Sequence, residues 1–294
     1  MTRILCLAFV GLFNAYVFAQ SSSPTADIDK MMQEMLHLSA EQRAQLRAVE
    51  VPINAEKEFG DLVFEAFQQQ LKLQKIAITN RGRDAKYVTQ LVGRIKPLMD
   101  NHTRYPRIQV HIVDSPEIDA RSAPGGTLVF YRGLLEFTES EAALMGIIGH
   151  ELSHLDRRHQ LKPLQQQQLA KQQLAGSAKQ GFDLNRMFDF GKISLGSYHP
   201  IHPQEEAEAD NDAVRWMYEL GYDPTELAKL FDQLANRGQG PAQLMPAFLR
   251  SHPLMQDRSM TVLRQADQLQ RQKPKGNLVV GSDALKNRIP AAIK

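Results

Sequence analysis

Hydrophobic residues follow helical spacing over most of this chain, and strand-like alternation is confined to two short stretches. Ile108, Val110 and Ile112 alternate with other residues between positions 107 and 115, which is the period of a β-strand. A Pro-Gly-Gly turn then precedes a second β-rich run, Thr127–Tyr131. Helical periodicity predicts helices over residues 26–50, 55–76, 85–99, 138–162, 205–220 and 223–238. The pattern is therefore that of a mainly helical chain with a small sheet.

Composition is that of a globular protein and argues against one class of partner. The 294 residues are 43% hydrophobic and 23% charged, which is typical of one large domain or two small ones. The net charge is only +2, and no basic run of the kind that follows a phosphate backbone stands out. We therefore do not expect a nucleic-acid partner.

The N-terminus has the features of a secretory signal peptide. Arg3 precedes an apolar run over residues 4–17, and Ala19 provides a small residue at the expected cleavage site. The alternative is a membrane anchor, but the run is short for a spanning helix and no stop-transfer charges follow it. Cys6 has no small residue before it, so we do not expect a lipoprotein. Cleavage after Ala19 predicts an exported protein, for which a bacterial periplasm is the fitting location.

The helix predicted from residue 138 carries two histidines four positions apart. Because a helix turns about 100° per residue, His150 and His154 share one face and can bind one cation. Glu151 lies about 100° around the helix from His150, so it cannot easily be a ligand. It can still reach a water molecule bound to the cation and act as a base, as in zinc peptidases. Cys6 is the only cysteine and is removed with the signal peptide, so histidine and carboxylate must supply every ligand. The alternative is a buried helix whose histidines only form hydrogen bonds.

A second acidic motif lies on the helix predicted over residues 205–220. Glu206 and Asp210 are four residues apart and share a face, so one can ligate a metal while the other accepts a hydrogen bond from a ligand histidine. The alternative is a solvated acidic first turn, which the helix dipole favours. A catalytic zinc needs a third protein ligand and an open position. The two motifs therefore complement each other.

A third stretch, "FLRSHPLMQDR", adds a histidine and an arginine. Arg258 could bind the oxyanion, or a substrate carboxylate, through its planar fork. A neutral His252 could do similar work, or could occupy the open metal position in a resting state. The sequence leaves open which of the two stabilises the oxyanion.

Together these stretches resemble the metallopeptidase family that contains the prenyl-CAAX endoprotease, the heat-shock membrane peptidase HtpX and the periplasmic BepA-type proteases. In that family, the third zinc ligand is the first glutamate of a Glu-x-Glu-Ala-Asp motif, which here falls on Glu206. The periplasmic members carry a His-Pro with an arginine six residues after the histidine, as at His252 and Arg258. In "DARSAPGG", Asp119 and Arg121 replace the asparagine and phenylalanine that are usual before the two glycines.

The resemblance implies a mainly helical α+β fold, a compact gluzincin with a small mixed sheet and the His-Glu-x-x-His helix beneath its edge strand. It also implies one Zn²⁺ per chain, held by His150, His154 and Glu206, with Asp210 as the partner of a ligand histidine. The domain organisation expected is a signal peptide (1–19), a helical extension (20–54), a metallopeptidase domain (55–266) and a polar C-terminal tail (267–294).

These features predict an exported zinc metalloendopeptidase that acts in protein quality control on extended, unfolded or misassembled proteins. Glu151 would be the catalytic base, with His252 or Arg258 at the oxyanion. An extended substrate would pair with the strand at 127–131, and the substrate-binding residues expected are Gly125, Gly126, Thr127, Leu128 and Val129. The alternatives are a gated or weakly proteolytic chaperone or assembly factor for envelope proteins, and a metal-free interaction protein. Docking on an outer-membrane assembly complex is left open.

Overall fold

The computed structural model describes residues 39–175, 202–238, 246–252 and 257–293. The predicted signal peptide and the extension up to residue 38 lie outside these residues, as does the proline after His252. The chain divides into two compact units, 1–45 and 46–294, and every contact discussed below lies within the second unit.

Helices make up most of the described chain. They are α1 (Ala40–Arg47), α2 (Ile53–Leu73), α3 (Arg83–Ile95), α4 (Arg132–Phe137), α5 (Glu141–Asp156), α6 (Lys162–Ala175), α7 (Pro203–Glu219), α8 (Thr225–Gly238), α9 (Ala247–Ser251), α10 (Arg258–Gln272) and α11 (Ser282–Asn287). Three single 3-10 turns connect them, at Lys96–Leu98, His102–Arg104 and His159–Leu161. No described helix is both long and apolar enough to span a bilayer.

Four strands form one mixed sheet, as expected for the fold class. They are β1 (Ile78–Thr79), β2 (Gln109–Val113), β3 (Ala120–Ala123) and β4 (Thr127–Tyr131). Their order in the sheet is β1-β2-β4-β3. β2 and β4 run parallel, with Gln109 opposite Thr127, and the other two pairs are antiparallel. The prediction of a mainly helical fold with a small mixed sheet is therefore confirmed.

The strand predicted to receive substrate lies inside this sheet. β4 is hydrogen-bonded to β2 on one side and to β3 on the other. Since both of its ladders are occupied, it has no free edge to offer an extended peptide, which corrects the prediction for 127–131. β1 and β3 are the edge strands of the sheet, and α5 packs against β3. The expected place of the motif helix beneath an edge strand thus holds for β3.

The motif helix α5 lies in the centre of the hydrophobic core. All sixteen of its residues are buried, as expected for a helix with apolar side chains around its whole circumference. Gly149 allows α7 to approach closely, because a Cβ atom at this position would lie only 3.0 Å from the Cα of Ala213. This close packing of α5 on α7 brings the two motifs together.

Both ends of α5 differ from the predicted range of 138–162. The N-cap is Ser140, whose Oγ accepts a hydrogen bond from the Ala143 N–H at 3.1 Å, while Thr138 ends the preceding helix. The helix stops at Asp156, and Arg158 adopts left-handed angles with φ of 60°. This left-handed residue ends the helix before the predicted limit at residue 162.

The C-terminal segment is part of the fold despite its polar composition. α10 crosses the predicted boundary at residue 266, just as α2 crosses the one at residue 54. The N–H groups of Glu141 and Ala142, which begin α5, donate to the carbonyl oxygens of Gly281 and Val280 at 3.3 and 3.0 Å. The predicted tail therefore packs on the domain, through backbone hydrogen bonds that its side-chain pattern does not reveal.

Candidate metal centre

The two histidines of α5 point to one position. His150 and His154 have no exposed surface, and their Nε2 atoms lie 3.0 Å apart. The rings stand edge to face, with centroids 4.6 Å apart and an interplanar angle of 84°. This is the shared face that four-residue spacing on a helix predicts.

α7 brings the carboxylate of Glu206 against both rings. The helix begins at Pro203 with a capping box, in which the His202 ring accepts from the Gln204 N–H at 3.1 Å. Glu206 lies in this fixed first turn. Its Oε2 is 3.5 Å from the Nε2 of His150 and its Oε1 is 3.4 Å from the Nε2 of His154. The resemblance assigned the third ligand to Glu206, and the structure places it beside the first two.

His252 supplies a fourth donor atom at the same position. The residue follows α9, and its ring stacks on Phe248 with centroids 4.6 Å apart. Its Nδ1 lies 3.1 Å from the Nε2 of His150 and 3.0 Å from the Oε1 of Glu206. The ligand atoms of His150, His154, Glu206 and His252 all lie within 4.8 Å of one another, and all four residues are buried.

The spacing of these donors fits a metal ion. With metal–ligand bonds near 2.0–2.1 Å, tetrahedral ligands lie about 3.3 Å apart. The neighbouring donor pairs in the cluster lie between 3.0 and 3.5 Å apart. Three imidazoles and one carboxylate form a donor set that suits zinc.

Asp210 orients the first of these histidines. Its Oδ1 lies 2.9 Å from the Nδ1 of His150, which leaves the Nε2 of that ring for a metal. Burial alone would raise the pKa of Asp210, but the charge of Arg258 and the hydrogen bond from His150 outweigh it and lower the pKa. The carboxylate is therefore charged and can accept the His150 N–H.

Arg258 lies behind the donor cluster and is bound to carboxylates. Its Nε and Nη2 donate to Asp210 at 2.7 and 2.8 Å, and its Nη1 donates to Glu206 at 2.9 Å. The guanidinium also lies over the ring of Phe231, 4.4 Å from its centroid. Because all three nitrogens already serve these carboxylates, the expectation that Arg258 binds the oxyanion is corrected. The residue neutralises Glu206 and Asp210 instead.

Glu151 stands next to the cluster without belonging to it. Its Oε2 accepts a hydrogen bond from the Ser122 Oγ at 2.8 Å, which ties it to the edge strand β3. Its Oε1 is 3.4 Å from the Nε2 of His252 and has no hydrogen-bond partner among the described residues. One oxygen is thus held in place, and the other is left to exchange a proton.

His159 belongs to this site, although the sequence did not indicate a role for it. Its Nδ1 lies 2.8 Å from the Nδ1 of His154, and its Nε2 lies 3.3 Å from the Oε2 of Glu208. Burial lowers the pKa of His159 to about 4, so the ring is neutral near pH 7. A spacing of five residues on a continuous helix would not give this contact. The left-handed turn at Arg158 does, and no pattern in the sequence signals that turn.

The five predicted substrate-binding residues lie in a turn and in the inner strand. Gly125 and Gly126 form the β3–β4 turn with φ of 80° and 99°, angles that favour glycine. Thr127, Leu128 and Val129 are buried in β4, between β2 and β3. The two glycines therefore form the turn that connects β3 to β4. The backbone of β4 cannot pair with a substrate, because β2 and β3 already occupy both of its sides.

Comparison with known proteins agrees with this geometry. The model of a family described as Peptidase family M48 matches residues 84–266, which contain every residue of the candidate centre. The chain belongs to peptidase family M48. It is 22% identical over 204 residues to the beta-barrel assembly-enhancing protease of Escherichia coli K12, an alignment that covers 62% of this chain and 39% of that protein. It is also similar to the mitochondrial metalloendopeptidase OMA1 of Schizosaccharomyces pombe, at 23% identity over 49% of this chain and 42% of the relative.

Membership of this family confirms the metallopeptidase prediction. The family implies a catalytic metal, and the buried His-His-Glu-His cluster is present to hold one. The mitochondrial metalloendopeptidase OMA1 of Arabidopsis thaliana is 27% identical over 51% of this chain, but the alignment covers 30% of that protein. The alignments therefore cover only about two fifths or less of the length of each of these relatives.

Proposed function

We propose that this M48 protein is a zinc-dependent endopeptidase that cleaves extended segments of unfolded or misassembled proteins. The observation that carries the proposal is the buried cluster of four donor atoms within 4.8 Å of one another, with Glu151 beside it. His150, His154 and Glu206 would hold the zinc. The ion, when bound, would act as a Lewis acid for the scissile carbonyl and lower the pKa of water enough for its deprotonation near neutral pH.

The chain's own residues divide the remaining work. Glu151 takes a proton from the attacking water at its free Oε1 and passes it to the leaving amine. The Ser122 hydroxyl holds the other oxygen, so the carboxylate keeps its orientation while the proton moves. Asp210 fixes His150, and Arg258 keeps the buried carboxylates charged. The buried surroundings strengthen each of these electrostatic contacts.

The outer side of β3 is the edge we assign to the substrate backbone. The Tyr131 N–H donates to the Asp119 carbonyl on the inner side, so by alternation the backbone groups of Ala120 and Ser122 face outward. The Phe248 N–H bonds the Ile118 carbonyl on this outer side at 3.0 Å. The Gln160 amide bonds the carbonyl of Ser122 at 2.9 Å. A substrate strand would pair at Ala120, between these two contacts, and displace the amide.

Recognition through the main chain suits substrates whose backbone is exposed. Folded proteins protect their backbone groups in secondary structure, whereas unfolded or misassembled ones offer extended segments to an edge strand. The signal-like N-terminus supports a periplasmic location. The name of the Escherichia coli relative, beta-barrel assembly-enhancing protease, supports protein quality control in the envelope and association with an outer-membrane assembly complex.

A second candidate function is a gated or weakly proteolytic chaperone or assembly factor for envelope proteins. The position of His252 favours it, because its Nδ1 lies where a substrate carbonyl or a water would have to bind. Ala120 and Glu151 are also buried, with 0% and 1% of their surface exposed. A site closed in this way would cut chains slowly or not at all.

Metal analysis combined with proteolysis tests the proposed function. We expect the purified full chain to retain about one zinc ion, since three protein ligands remain even without His252. Casein cleavage should stop when a chelator removes the metal and return when zinc is added back. A folded chain that retained no metal would overturn the proposal. A chain that retained zinc without cleaving any denatured protein would favour the assembly factor.

Replacement of His252 with alanine tests whether this residue closes the metal position. We expect His252→Ala to raise kcat/KM for casein by about tenfold, because a competing protein ligand reduces the fraction of open sites. The zinc content should stay unchanged, since His150, His154 and Glu206 remain. The control is His102→Ala, a histidine whose Nδ1 contacts the Met99 carbonyl outside the site. A loss of turnover in the His252 variant alone would instead place His252 at the oxyanion.

A further inference from the structure

The hydrogen bond between His154 and His159 has a direction that the metal site sets. The Nε2 of His154 faces the donor cluster, so its lone pair is there and the proton of the neutral ring is on Nδ1. That N–H donates to the Nδ1 of His159 at 2.8 Å. His159 must then carry its own proton on Nε2, which donates to Glu208 at 3.3 Å. One arrangement of protons thus satisfies every contact along the chain.

The two histidine ligands of α5 are therefore oriented in different ways. His150 donates directly to a carboxylate, that of Asp210, whereas an imidazole stands between His154 and its carboxylate. The side chain of His159 has no exposed surface. Both of its ring nitrogens are used by these contacts, one as acceptor and one as donor.

We propose that His159 is a positioning residue for the metal ligand His154, and that Glu208 and Arg47 fix His159 in the tautomer this requires. The inference rests on the proposed metal function of His154. A ligand histidine is held by the partner of its second ring nitrogen, and loss of such partners weakens metal binding. His159 would perform this task without touching the metal or the substrate.

Arg47 extends the chain of contacts to the last residue of α1. Its Nη1 donates to both oxygens of Glu208, at 3.2 and 3.0 Å. Its Nη2 lies 3.5 Å from Glu205, which neighbours the ligand Glu206. Arg157 adds a further contact to Glu208 at 3.5 Å. Three hydrogen bonds therefore connect Arg47 to His154, through Glu208 and His159. They link residue 47, in the predicted N-terminal extension, to the orientation of a metal ligand.

Zinc affinity of the full chain tests this inference. We expect His159→Leu to raise the zinc dissociation constant by about 10–100-fold, measured by chelator competition. His159→Asn should restore most of the affinity, because its Oδ1 can accept the His154 N–H. Arg47→Gln should weaken zinc by up to about fivefold, the scale of a partly exposed ion pair. The visible spectrum of the cobalt-substituted chain should change in the leucine variant and recover in the asparagine variant.

The matched control is Tyr105→Phe, which removes a buried hydroxyl that lies 3.0 Å from the Leu155 carbonyl of α5 and 2.8 Å from the Glu56 carboxylate. It should lower stability without changing the zinc dissociation constant. Equal affinity in wild type and His159→Leu would overturn the inference. Equal weakening in the leucine, asparagine and Tyr105→Phe variants would also overturn it, since the loss would then be general loosening. A folded wild-type chain without zinc would overturn the proposed function itself, which is a separate result.

Discussion

Glu151→Gln should lower kcat for casein by about 10²–10⁴-fold while zinc stays bound, because it removes the general base and leaves the metal ligands in place. Glutamine keeps the size of the side chain and can still accept the Ser122 hydroxyl hydrogen bond. It cannot take a proton from water. KM should change little, since no contact to an extended substrate backbone is altered. The measurement is steady-state cleavage of casein together with metal analysis of the same preparation.

The chain offers a close control for this experiment. Glu141 is a second fully buried glutamate on α5, where it accepts hydrogen bonds from Tyr87 and Tyr222 at 2.6 Å each. Glu141→Gln should reduce stability but leave turnover per folded molecule unchanged. If Glu151→Gln cleaved casein at the wild-type rate, the base assigned to Glu151 would be wrong. A loss of zinc from that variant would show that Glu151 has a ligand role.

Arg258→Met should destabilise the metal-free chain by about 3–5 kcal/mol, because it leaves two buried carboxylates without their cation. Arg258 is 6% exposed and bonds both Asp210 and Glu206. Methionine retains much of the apolar contact with Phe231, so the change isolates the charge. The measurement is urea unfolding of the zinc-depleted protein. Bound zinc should recover part of the loss, since it supplies positive charge to Glu206.

Arg215→Met provides the comparison for this variant. Arg215 lies on α7, contacts Asp212 at 3.0 Å and has 42% of its side chain exposed, so solvent screens the pair. Its replacement should cost no more than about 1 kcal/mol. The loss of stability in Arg258→Lys should lie between the losses in Arg258→Met and Arg215→Met, because a single ammonium cannot match three directed N–H donors. A loss below about 1 kcal/mol in Arg258→Met would contradict the neutralising role.

Local periodicity accounts for the parts of the site that could be read from the sequence. His150 and His154, like Glu206 and Asp210, are paired by helical spacing, and any helix places such pairs on one face. The sheet order could not be read in this way. β4 looks the same in sequence whether it lies at the edge or in the middle, because its neighbours are set by pairing with distant strands.

Arg258 and His159 were beyond sequence reasoning for related reasons. An arginine near a catalytic site suits an oxyanion as well as it suits a carboxylate, and only the packing of α10 on α7 decides between them. His159 depends on one residue in left-handed conformation, Arg158, of a type that rarely adopts it. Non-local packing and rare backbone angles therefore account for what the sequence did not show.

The contacts at the start of α5 also bear on the order in which the molecule is made. The first turn of this helix takes its backbone acceptors from Gly281 and Val280, and the buried Glu141 accepts a further bond from the Ala291 N–H at 2.9 Å. During synthesis these groups follow the metal-binding helices by many residues. Both motifs can thus be synthesised before the first turn of α5 gains its backbone hydrogen bonds to Gly281 and Val280. Assembly of a rigid metal centre would then wait until residues 280–291 have been synthesised.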